Sequence, residues 1–180
     1  MIHIMKTSTF KPAWWCRGSH LQTVWRRFLG PAPVVATRRE RWETPDDDFI
    51  DLDWLMPDSG HRHSDEPLVL ILHGLEGSSQ SKYVLGLLTE LNRIHWQGIA
   101  MNFRSCSGEI NRQRRFYHSG ETTDLDWVIG RLTQKFPARP VYVVGFSLGG
   151  NVLLKWLGEN GEKIPELYFE TAAFLITFVI

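Results

Sequence analysis

The chain has 180 residues, a formal net charge of zero at neutral pH, 43% hydrophobic residues and 22% charged residues. That suffices for one domain with a real core, and the balanced charge excludes the basic footprint of a nucleic-acid binder. Eight Trp and ten Phe must be buried, or must face lipid or an apolar substrate.

The first residues, MIHIMKTSTFKPAWW, contain no apolar core of signal-peptide length. No stretch approaches the roughly 20 apolar residues of a membrane span. A cytoplasmic address is the default expectation. Ser19 to Leu29 reads as a short helix, with Ser19 and Gln22 as a capping box. Leu21, Val24, Trp25 and Phe28 share one face, and Gly30-Pro31 ends the helix. Arg26 and Arg27 flank that aromatic face, so it can pack on its own domain or rest on a membrane surface. Residues 1–33 thus form an N-terminal extension, and 34–180 the sheet and helices of a single domain.

Val34 to Trp42 and Phe49 to Met56 read as strands joined by a turn at Thr44 to Asp48. In the second strand Ile50, Leu52, Trp54 and Met56 alternate with Asp51 and Asp53. Asp58 to Pro67 reads as an exposed loop. Its His61 and His63 lack the thiols or carboxylates that would complete a metal site, so no metal is expected.

Leu68 to Leu72 is a continuous apolar run, the pattern of a strand buried on both faces in a parallel sheet. A helix over Ser81–His95, a strand over Ile99–Phe103 and a helix over Glu121–Phe136 follow. Then come a strand over Val141–Val144, a helix over Asn151–Gly158 and a last apolar strand over Ala172–Ile180. Strands alternating with helices predict an α/β fold with a mostly parallel sheet. The two cysteines, Cys16 and Cys106, are too few for a disulfide scaffold and fit no metal motif. They suit a reducing compartment.

Chemistry concentrates at Gly145-Phe146-Ser147-Leu148-Gly149. A bare G-x-S-x-G is a weak signal. Here a strand stands directly before it and a helix directly after it, the context of a nucleophile elbow. Such a turn is strained, so neighbouring side chains must be absent, which Gly145 and Gly149 provide. It lifts the serine hydroxyl above the sheet edge. It also aims the next N–H, that of Leu148, at a reacting carbonyl from the end of a helix dipole. The loop after the first parallel strand, His73-Gly74-Leu75-Glu76-Gly77, supplies the second donor in this architecture, and the Leu75 N–H is the candidate. His73 reads as a residue that fixes this loop rather than as a base.

Four blocks together resemble the YheT-like branch of the α/β-hydrolases, a family of esterases and lipases. They are Phe10–Thr23 (FKPAWWCRGSHLQT), His73–Ser79 (HGLEGSS), Asn102–Asp124 (NFRSCSGEINRQRRFYHSGETTD) and Val143–Gly158 (VVGFSLGGNVLLKWLG). The resemblance implies an incomplete α/β-hydrolase fold ending at about the sixth strand. It implies hydrolysis of small-molecule or lipid carboxylic esters, with Ser147 as nucleophile and no cofactor. One departure is Ser105, where the family pattern has glycine. The larger one follows Ser147. The fold's triad runs Ser, then Asp or Glu, then His. After Ser147 this sequence has no histidine and no aspartate, and all seven histidines lie at or before His118. Glu159, Glu162, Glu166 and Glu170 all precede the last predicted strand, too early for the acid. The expectation is a truncated hydrolase that is inactive by itself. The alternative is a catalytically dead half-domain that self-associates through the open edge of its C-terminal strand.

Overall fold

In a computed structural model of the chain, residues 11–15, 18, 32–56 and 66–161 are described. The chain divides into two compact units, Met1–Pro31 and Ala32–Ile180, and every element below belongs to the second. In order these are β1 (Thr37–Thr44), β2 (Asp48–Leu55), β3 (Leu68–Leu72), α1 (Lys82–Arg93), β4 (Gln97–Met101), α2 (Thr123–Lys135), β5 (Val141–Gly145) and α3 (Leu148–Asn160). The predicted helix at Ser19, the His61/His63 pair, Cys16 and the predicted strand over Ala172–Ile180 lie outside the described residues. Among the described residues no helix is long and apolar enough to cross a membrane.

The sheet runs β1-β2-β4-β3-β5. β3 pairs in parallel with β4 and β5, while β2 pairs antiparallel with both β1 and β4. The alternation of strands and helices thus gives the parallel half, and the hairpin adds an antiparallel half. β3 is apolar throughout because both its faces are covered. Leu68, Leu70 and Leu72 pack with Leu125, Val128, Leu132 and Val152 on the side of α2 and α3. Val69 and Ile71 pack with Val84, Leu85, Leu88 and Leu91 of α1 on the other.

β2 departs from the amphipathic pattern. All eight of its residues are buried, Asp51 and Asp53 included. β2 is an inner strand with both edges paired, and β1 supplies cationic partners for Asp51 and Asp53. Arg41 donates two hydrogen bonds to Asp51, at 2.8 and 2.8 Å, and Arg39 two to Asp53, at 2.9 and 2.8 Å. β1 also starts later than expected, residues 32–36 having no regular structure.

The strand register sets up the site. Leu72 stands level with Met101 on one side and with Gly145 on the other. The chains leaving β3, β4 and β5 therefore emerge side by side at the carboxyl edge of the sheet, where open α/β sheets bind ligands.

Candidate active site

Ser147 joins β5 to α3 with φ 50° and ψ −114°, a conformation that costs a side-chain-bearing residue free energy. The surroundings force it. The Phe146 N–H donates to the Leu72 carbonyl at 3.0 Å, extending the β3–β5 pairing, and the Gly149 N–H donates to the Phe146 carbonyl at 2.9 Å, closing the turn. A Cβ on Gly145 would lie 2.5 Å from the Gly149 carbonyl oxygen, and one on Gly149 would lie 2.6 Å from that of His73. Neither position admits alanine without backbone movement. The helix begins at Leu148, three residues earlier than its apolar pattern shows. Ser147 itself is exposed.

The His73–Gly77 loop runs beside it. A Cβ on Gly74 would stand 3.4 Å from both the Ser147 Cβ and the Phe146 carbonyl oxygen. The loop is a tight turn, closed by the Gly77 N–H donating to the Gly74 carbonyl at 3.0 Å, with Glu76 at φ 52°. The Gly74 N–H donates to the Tyr83 hydroxyl at 2.8 Å and the Glu76 N–H to the Tyr117 hydroxyl at 2.9 Å. Among the described residues, the Leu75 and Leu148 N–H groups donate no hydrogen bond. Leu75 is exposed and Leu148 half-buried.

His73 is 1% exposed and both its ring nitrogens are engaged by backbone. Nε2 accepts the Phe103 N–H at 3.1 Å, so Nδ1 carries the proton and donates it to the Gly74 carbonyl at 2.7 Å. Burial pushes its pKa down to about 4, against the opposing pull of the Gly74 carbonyl. It is a neutral tie between the loops after β3 and β4.

The stretch after β4 supports both loops. Asn102 accepts the Ser79 N–H at 2.9 Å and donates to the Asp51 carbonyl at 3.1 Å and to Asp53 at 3.0 Å. Arg104, 1% exposed, makes two 2.8 Å hydrogen bonds to Asp124 on α2, one of 2.5 Å to Asp48, and reaches Asp46 at 3.0 Å. Burial pushes the Asp46 carboxyl up, but hydrogen bonds from Thr44 and Arg104 outweigh it and hold its pKa at about 2. Ser105 has φ 64°, the left-handed region that glycine tolerates. Its N–H donates to the Asn111 side chain at 2.6 Å and its hydroxyl accepts the Asn111 N–H at 3.2 Å. Cys106 is a half-buried free thiol.

Tyr83, Tyr117 and Asn102 were not among the predicted site residues. For Asn102 and Tyr117 the signal that could have found them is the length of the segment that holds them. The whole stretch from Asn102 to Thr122 lacks regular structure, and loops beyond about 12–15 residues in compact domains are usually functional. Among the described residues no group of three or more potential metal ligands forms.

Residues 67–177 match the model of the alpha/beta hydrolase fold family. The chain is 41% identical over 146 residues to the candidate esterase YheT of Escherichia coli, covering 81% of this chain and 42% of that protein. It is 35% identical over 162 residues to phospholipase ABHD3 of Bos taurus, covering 88% and 39%. In fold it is similar to a lidless α/β serine hydrolase from Xanthomonas campestris, with a TM-score of 0.57 at 22% identity, over 72% of this chain and 59% of that one. The chain thus spans about two fifths of the length of the curated relatives it matches. With the level strand ends, the glycine-flanked serine turn and the matched model over most of its length, the chain belongs to the alpha/beta hydrolase fold family.

Proposed function

We propose that the chain carries the nucleophilic half of a serine carboxylic ester hydrolase, with Ser147 as nucleophile and the Leu75 and Leu148 N–H groups as oxyanion hole. The observation that carries the reading is the strained Ser147 turn, in which Gly145 and Gly149 have no room for a side chain. Strain of this kind persists where the surrounding structure holds it, and a nucleophile elbow is such a place. In the proposed reaction the Ser147 hydroxyl gives its proton to a base that lies outside these residues, and its oxygen attacks the ester carbonyl carbon. The carbonyl oxygen becomes an oxyanion, and the protonated base returns the proton to the departing alcohol. Two preorganised N–H donors stabilise the oxyanion, each worth about 3 kcal/mol of barrier. The alcohol then leaves, and water releases the acid from the acyl-enzyme. No step requires a metal or cofactor.

The substrate class is a small-molecule or lipid carboxylic ester. The names of the relatives, an esterase and a phospholipase, support it. The proposed setting is a cytoplasmic, reducing one, in keeping with the free thiol of Cys106.

A serine hydroxyl needs a base. Within these 180 residues none follows Ser147 in the order the fold uses, and both nitrogens of His73 are bonded to backbone. Loss of the histidine costs about a million-fold in kcat in a well-characterised serine protease. The chain by itself is therefore a negligible esterase, and imidazole added to the buffer should restore part of the missing function. The test is p-nitrophenyl butyrate hydrolysis with increasing imidazole, comparing the chain with Ser147→Ala. A Ser147-dependent increment that grows with imidazole is expected, with none in its absence. Among the described residues β5 pairs on one side only, with β3, and that free side is what strand pairing with another chain would use. If that pairing is the function, no increment appears at any imidazole concentration.

A further inference from the structure

We infer that Tyr83 and Tyr117 are positioning residues that select and orient the Leu75 N–H as an oxyanion donor; this rests on the oxyanion reading above. Three consecutive peptide planes run through the loop, from His73 to Glu76. Each is held by a different side chain. The plane between His73 and Gly74 is held through its N–H by the Tyr83 hydroxyl at 2.8 Å. The plane between Gly74 and Leu75 is held through its carbonyl by the His73 imidazole at 2.7 Å and by the Gly77 N–H at 3.0 Å. The plane between Leu75 and Glu76 is held through its N–H by the Tyr117 hydroxyl at 2.9 Å. A trans peptide is planar, so fixing the Gly74 carbonyl fixes the direction of the Leu75 N–H on the opposite side of that bond. The two tyrosines occupy the N–H groups on either side and leave this one free.

Both tyrosines are themselves braced. The Tyr83 ring lies 4.7 Å from that of Phe146, the residue before Ser147, so one side chain touches both loops of the site. The Tyr117 ring stacks on Phe103 at 5.4 Å with the planes 5° apart. Gly77 belongs to the same device, since a Cβ there would lie 2.6 Å from the Tyr83 hydroxyl. The arrangement matters because an oxyanion donor acts through preorganisation, and a peptide plane free to rotate loses it.

The test is an equilibrium, so it needs no base. Phenylboronic acid adds to the Ser147 oxygen with loss of the serine proton to buffer, giving a tetrahedral anion with a boron-bound oxygen in the oxyanion position. Amide NMR of the labelled 180-residue chain then reads each donor separately. In the unmodified chain the Leu75 and Leu148 amide protons should both move downfield on titration, and in Ser147→Ala neither should. Tyr83→Phe and Tyr117→Phe each keep the ring and delete one acceptor. Each should weaken boronate binding about tenfold, the scale of one hydrogen bond to a charged group. The downfield shift should shrink at Leu75 while that at Leu148 persists, a selectivity that general loosening does not produce. Full shifts and unchanged affinity in both variants overturn the tyrosine assignment alone. A Leu148 shift without a Leu75 shift in the unmodified chain overturns Leu75 as a donor and the assignment with it. No adduct at all overturns the Ser147 reading and everything built on it.

Discussion

His73 carries the residue-scale prediction. Its imidazole bridges two backbone groups in the neutral form, and a second proton on Nε2 would break the bond from Phe103. Its pKa in the fold is about 4, below the ordinary histidine value of 6.5. The unfolded chain therefore binds more protons than the native one between these values. The contribution is fully present above about pH 6.5 and is lost as pH falls toward 4, by up to about 3 kcal/mol. Urea unfolding across this range should show the decline, and His73→Gln, whose amide can both donate and accept, should lack it. Identical pH profiles for the two proteins would contradict the assignment. Ser105 shows the same scale of reasoning in the backbone. Its left-handed φ is a conformation that favours glycine, and its paired bonds with Asn111 explain how serine is tolerated.

Among the elements, α3 offers a paired test. Gly149 and Gly158 both lie in this helix, but a Cβ meets backbone within 2.7 Å at the first and nothing within 4 Å at the second. Gly149→Ala should destabilise by about 2 kcal/mol or more through overpacking. Gly158→Ala should stabilise by about 0.5–1 kcal/mol through helix propensity. Denaturation midpoints of the two variants should move in opposite directions, and a shared direction would show that Gly149 is not confined by its neighbours. Gly149 was legible from its place in the motif, because glycine on both sides of a serine between strand and helix has one strong structural reason. The parallel strands were legible too, since continuous apolar runs such as Leu68–Leu72 need cover on both faces. The strand β2 was legible from its alternation, but the burial of its carboxylates was not. Asp51 and Asp53 are buried against Arg41 and Arg39 of the preceding strand, and a hydrophobicity pattern gives no sign of a partner that arrives by strand pairing.

For the molecule as a whole, the keystone is the ion cluster around Arg104. It ties the β1–β2 turn through Asp46 and the start of β2 through Asp48 to α2 through Asp124, with the long loop after β4 as the carrier. Arg104→Met would leave Asp48 buried without its cation and Asp124 with only the 3.4 Å contact of Arg115, and should cost about 3–5 kcal/mol in denaturant unfolding. A loss under about 1 kcal/mol would remove the cluster from the account of stability. Nothing in the sequence names these partners, because the contacts span twenty residues to Asp124 and 56 to Asp48. The same distance hid Tyr117, which reaches across 41 residues to the Glu76 N–H. What sequence does show at this scale is order: a G-x-S-x-G serine between strand and helix, and no histidine after it within these 180 residues.

The most direct measurement of that central claim is labelling of the folded chain with a fluorophosphonate, beside its Ser147→Ala variant. The account predicts that neither protein is labelled, since a well-positioned serine without a base remains a poor nucleophile. Labelling of the unmodified chain that vanishes in Ser147→Ala would contradict it, and would mean that a group within these 180 residues activates the serine.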